Sequence, residues 1–91
     1  MISINQLKIT PEPSFGGSYP EQYDVLLDNK TVGYMRLRHG RFTVECPDVG
    51  GKLVYEAYPK GYGEFEDEER SYFLDIALSM VTDFLNETNL K

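Results

Sequence analysis

Three arginines, Arg36, Arg38 and Arg41, are the residues whose type and spacing point most directly to chemistry. Arg36 and Arg38 are two positions apart, so on an extended chain they share a face. A tight turn at His39-Gly40 would bring Arg41 directly opposite Arg38 on the next strand. A guanidinium presents a planar fork of donors that matches a carboxylate or a phosphate, and tyrosine adds stacking area. With Tyr34 and Tyr58 on the same face, the set reads as a platform for an acidic protein, a phosphate or single-stranded nucleic acid. Like charges directly opposite each other destabilise a strand pair. Glu56, diagonal to Arg41, and Asp24, beside Tyr34, would relieve part of that repulsion. An exposed face of mixed charge is the plainer account of the same residues.

The second feature is the acidic run Glu64-Phe65-Glu66-Asp67-Glu68-Glu69. Carboxylates in the first turn of a helix complement the positive end of its dipole, and Glu66 or Asp67 could cap the free N–H groups. The same patch of Glu64, Glu66, Asp67, Glu68 and Glu69 would also suit an inhibitor that mimics nucleic acid, a class in which small phage-encoded proteins are common. The run lacks the D-x-D-x-D-G spacing of a calcium loop.

Other chemistry is disfavoured. His39 and Cys46 sit at opposite ends of one expected strand, about 20 Å apart at ~3.3 Å per residue, too far for a dyad. One histidine and one cysteine are too few for zinc. Gly50-Gly51-Lys52 resembles the end of a phosphate loop, but Leu53 replaces the Ser/Thr and no helix follows. Ser14, Ser18, Ser71 and Ser79 have no histidine base in prospect. The paired carboxylates show no sign of a cleft. The expectation is a non-enzymatic protein with no metal and no cofactor.

Composition narrows the partners. The 91 residues carry a net charge of −6, which opposes generic binding to nucleic acid or anionic membranes but leaves room for a local basic site. Hydrophobic content of 41% and aromatic content of 13% fit a folded domain. One cysteine gives no internal disulfide and suggests the cytoplasm. Met1-Ile2-Ser3-Ile4-Asn5 lacks a basic leader, and no apolar run approaches the ~20 residues of a membrane span.

The elements that must position these residues follow from periodicity. Phe73, Ile76, Ala77, Met80, Val81 and Phe84 recur at helical spacing within Asp67–Asn89, with Leu74, Leu78 and Leu85 widening the stripe. Those leucines are expected either beneath the N-terminal arm or in contact with a partner or second copy. Residues 2–10 read as an edge strand broken near Asn5-Gln6, and 10–21 as an irregular loop rich in Pro and Gly. Strands are expected at Gln22–Leu27, Thr31–Arg38, Arg41–Cys46 and Lys52–Tyr58. Keeping the apolar residues of the first two on one face requires an odd-length loop around Asp28-Asn29-Lys30, with a bulge.

The result is an α+β fold of one domain over residues 1–91: an arm at 1–21, a meander at 22–58 and a helix at 64–89. A four- to five-stranded antiparallel sheet carries the helix across one face. Tyr23, Val25, Leu27, Met35, Leu37, Phe42, Val44, Cys46, Leu53, Tyr55 and Ala57 should meet Phe73, Ile76, Ala77, Met80 and Phe84. The function expected is a small module that binds a protein partner and can self-associate. Polyanion binding through the arginine face and acidic inhibition through the helix start are the alternatives.

Overall fold

The computed structural model describes residues 2–11, 21–48 and 50–89. Strands β1 (Lys8–Pro11), β2 (Glu21–Leu27), β3 (Lys30–Arg38), β4 (Arg41–Cys46) and β5 (Lys52–Ala57) precede one helix, α1 (Asp67–Asn89). The strands form a single antiparallel sheet in chain order, so β1 and β5 are its edges. The helix lies across β3, β4 and β5 on one face, giving the expected α+β architecture with five strands. The irregular stretch expected at 10–21 lies outside the described residues except at its two ends.

Where the strands depart from expectation, bulges and turns are the reason. The break foreseen near Asn5-Gln6 is a single 3-10 turn at Ile4–Gln6, closed by the Ser3 N–H donating to Gln6 Oε1 at 2.9 Å. Pairing therefore starts only at Lys8. The β2–β3 loop holds two residues rather than an odd number, because Leu27 pairs with Lys30 across Asp28-Asn29. Both turn residues have positive φ, 52° and 67°, as a two-residue hairpin of this hand demands. The parity is corrected instead by an irregularity after Val25, which pairs with Gly33 while Leu26 pairs with Thr31. Tyr23 and Val25 thus share the helix face with Met35 and Leu37, as hydrophobicity required.

A second irregularity, between Val44 and Glu45, sets Leu53 opposite Glu45. Leu53 is consequently 42% exposed instead of joining the core, and Val54 packs inward in its place.

The core lies between sheet and helix. Val25, Met35, Leu37, Phe42 and Val44 from the sheet meet Ala77 and Val81 from α1 with no exposed surface. The helix is turned relative to expectation: Leu74, Leu78 and Leu85 pack on the core, while Ile76 and Met80 sit half-buried towards its margin. Gly33 permits this seating, since a Cβ there would stand 3.1 Å from Val81 Cγ2. On the far side the N-terminal segment clasps the helix. Asn86 accepts from the Ile2 N–H at 2.8 Å and donates to the Ile2 carbonyl at 3.0 Å. Leu7 buries itself beside it.

Phe65, in the middle of the acidic run, is 3% exposed and plugs one end of the core. Its ring meets Phe42 edge-on at 4.9 Å and stacks on Phe73 at 5.7 Å. Phe65→Ala should cost about 3–5 kcal/mol, the range for truncating a buried phenylalanine. A lowered urea midpoint at unchanged slope would show it, whereas a loss below ~1 kcal/mol would contradict this placement.

Candidate functional site: an arginine-lined end of the sheet

Glu21, Leu37, Phe42 and Ala57 form one row across β2–β5. Immediately beyond that row lie Arg38, the His39-Gly40 turn, Arg41 and Tyr58. His39 and Gly40 have φ of 54° and 76°, so the turn is the tight one expected, and Arg38 pairs directly with Arg41. Arg36 pairs with Thr43, and Thr43 with Glu56, which fills the outer face behind the turn. Together Arg36, Arg38, His39, Arg41, Thr43 and Tyr58 line a shallow concavity of about 400 Å³.

The charges are unevenly answered. Arg41 donates its Nε–H to Glu56, and the Tyr58 hydroxyl donates to the same carboxylate at 3.2 Å. These hydrogen bonds hold the Glu56 carboxyl below its ordinary range and raise the Arg41 guanidinium above its own. Among the described residues, neither Arg36 nor Arg38 has an ion pair. Tyr58 is 71% exposed at the rim. Tyr34 shares the sheet face but not the concavity: it is buried, with its hydroxyl donating to Gln22.

The acidic run divides into inward and outward members. Glu69 turns back from the first turn of α1 and accepts three backbone N–H groups: Lys60 at 2.9 Å, Gly61 at 2.8 Å and Glu66 at 3.0 Å. Partial burial alone would raise its pKa, but those bonds outweigh it and the net shift is downward. Asp67 pairs with Arg70 at 2.7 Å while staying open to solvent. Glu64 is half-buried, and Glu66 and Glu68 are exposed.

What fixes this end of the molecule is Glu21, whose side chain has no exposed surface. Its carboxylate accepts from the Tyr23 hydroxyl, from the Phe65 N–H at 2.9 Å and from Arg70 Nε and Nη2 at 2.9 and 3.3 Å. Arg70 also donates to the Phe65 carbonyl at 3.0 Å. The guanidinium is held charged chiefly by its bond to Glu21, and burial pushes the Tyr23 phenol well up. Two backbone bonds close the frame: Glu21 N–H to Gly63 at 2.8 Å, and Gly40 N–H to Tyr62 at 2.6 Å.

Cys46 lies in the core at the other end of β4, and burial pushes its thiol up to about 11. It is remote from His39, which packs edge-on to Tyr62 at 5.7 Å. No group of three or more His, Cys, Asp or Glu side chains suited to a metal occurs among the described residues. No described helix is long and apolar enough to cross a membrane.

Two measurements check these environments. Glu69→Ala should cost about 1–2 kcal/mol at neutral pH, typical of a lost helix cap. Because its folded pKa is depressed, the stability it adds is present above the ordinary carboxylate pKa. That increment is lost as pH falls through the folded value, so the gap between variant and wild type should close in acid. A gap that persists unchanged to pH ~2 would contradict the linkage. Cys46 should react with a thiol reagent at pH ~8 only on unfolding, since the native thiolate is scarce. Fast native labelling would show that the thiol is open.

Comparison of the chain with known protein families, with curated proteins and with solved structures found no match.

Proposed function

We propose that this protein works by binding rather than by catalysis, and that its arginine-lined sheet end docks an acidic segment of a protein partner. The observation carrying this reading is the concavity itself. Arg36 and Arg38 face it without an ion pair among the described residues, beside an exposed tyrosine, in a chain of net charge −6. Desolvated guanidinium and tyrosine groups are the anchors that protein interfaces favour.

The size and lining of the site favour a short acidic segment over single-stranded nucleic acid. Stacking of successive bases needs a track of open aromatic rings. Tyr34 is buried, which leaves Tyr58 as the one tyrosine lining the concavity among the described residues. The negative charge of the rest of the chain would also repel a polyanion extending beyond the patch. The acidic-inhibitor alternative has less support, because Glu69 is turned onto the backbone and Asp67 is paired. A protonated core thiol and a lone turn histidine support a role without catalysis. A single buried cysteine is compatible with the cytoplasm.

The test is fluorescence anisotropy with two labelled probes of equal charge, an oligo-glutamate peptide and an oligothymidylate. The peptide should bind, and R36A/R38A should weaken it at least ~10-fold while stability stays within about 0.5 kcal/mol. Tighter binding of the oligothymidylate, also lost in R36A/R38A, would replace this reading with nucleic-acid recognition. Peptide binding that is indifferent to the double substitution would remove the site from the arginine face.

A further inference from the structure

The arginine concavity and the acidic helix start lie at the same end of the molecule, on opposite sides of the sheet. Glu21 is the reason: its row lies one pair short of the His39-Gly40 turn, and its carboxylate holds Phe65 and Arg70 there. Between the two patches sits Tyr62, whose carbonyl accepts from Gly40 and whose ring rests against His39. Tyr62 is 68% exposed. Crossing the end of the molecule, one passes from Arg36, Arg38 and Arg41, over Tyr62, to exposed Glu66, Asp67 and Glu68.

We propose that the partner fitted by this end is a second copy of the chain, in a two-fold dimer. The acidic helix start of each copy docks on the arginine concavity of the other. This deepens the docking reading above and rests on it. Complementary charge argues for this occupant: Arg36 and Arg38, which have no ion pair among the described residues, match the exposed carboxylates Glu66 and Glu68 of the other patch. A two-fold axis places the same surface on both sides of the contact, so residue i meets j while j meets i. With both patches at one end, a single axis satisfies both contacts and the assembly closes at two. The exposed rings of Tyr58 and Tyr62 supply the aromatic area that an interface between charged rims needs.

The experiment is sedimentation of the full chain at ~0.02 M and ~0.2 M salt, where screening differs by about threefold in length. Wild type should be a dimer at low salt, with a dissociation constant at least ~10-fold weaker at the higher salt. The charge-reversed variants E66K/E68K and R36E/R38E should each be monomeric. Mixed in equal amounts they should restore the dimer, because both contacts of the mixed pair again join opposite charges. Circular dichroism checks that each variant is folded; if E66K/E68K is not, E66Q/E68Q stands in for it as a single variant, expected to weaken the dimer at least ~10-fold, without the mixing arm.

Three results would overturn the proposal: a wild type that stays monomeric, a ladder of higher oligomers, or a mixture that remains monomeric. A monomeric wild type that binds the oligo-glutamate probe through Arg36 and Arg38 sinks the dimer but leaves the docking face. Loss of both sinks the docking reading as well.

Discussion

A buried carboxylate imposes the strongest constraint on this fold. The Glu21 side chain is fully sequestered, and a charge there is tolerable only with near-complete hydrogen bonding and a counter-ion. Four donors converge on it, from β2 itself, from the β5–α1 connection and from the helix. An ion pair of this kind adds little net stability over an apolar filling, but separating its partners is costly. Its effect is therefore positional. The start of α1 stays over the start of β2, because any other seating would strand a charge in the core.

The β5–α1 connection shows the same logic at its surface. Its backbone donors at Lys60, Gly61 and Glu66 have no sheet partner and find one carboxylate, Glu69. Glu69 stands three residues after Glu66, where a helix-capping side chain reaches back to the residue before the first turn. The residues from Phe65 to Glu69 thus divide among three roles. Phe65 fills the core, Glu69 and Asp67 serve the local structure, and Glu66 and Glu68 are left outward. A charge run at a helix start is informative only once each residue's position in the turn is known.

That distinction separates what could be read in the sequence from what could not. The bounds of α1 and β4 were legible, since a long 3.6-residue period and a His-Gly turn leave few alternatives. The parity of β2 against β3 was also legible from hydrophobicity, but not its cause. A bulge beyond a two-residue turn and an odd loop satisfy the same pattern. Leu53 was misplaced because a bulge at the edge strand leaves no mark in composition. Phe65 was hidden by its acidic neighbours.

Among the site residues, the arginines followed from turn and alternation alone, so the structure brings them together. Tyr34 has the right parity but the wrong burial, and alternation reports only the former. His39, read only as a turn residue, and Thr43, which shares the outward parity of the arginines, also line the concavity. Glu21 did carry a signal: it stands in step with Tyr23 and Val25, so the core-facing alternation of β2 places a carboxylate inside. Arg70, the one basic residue of α1 before Asn89, was its natural counterpart.

The contrast between local and total charge bears on what such a face can select. At physiological salt the Debye length is about 8 Å, so a docked side chain feels mainly the guanidinium groups around it. Groups further off feel the acidic remainder of a chain carrying −6. The attractive patch is therefore small and bordered by repulsion. A long polyanion gains from its first few charges and is penalised for the rest, whereas a short acidic element bears only the favourable part. A helix start with its exposed carboxylates gathered at Glu66, Asp67 and Glu68 has that form. Selectivity for a compact acidic surface then requires no base or side-chain pocket, only the sharp edge between the arginine concavity and its surroundings.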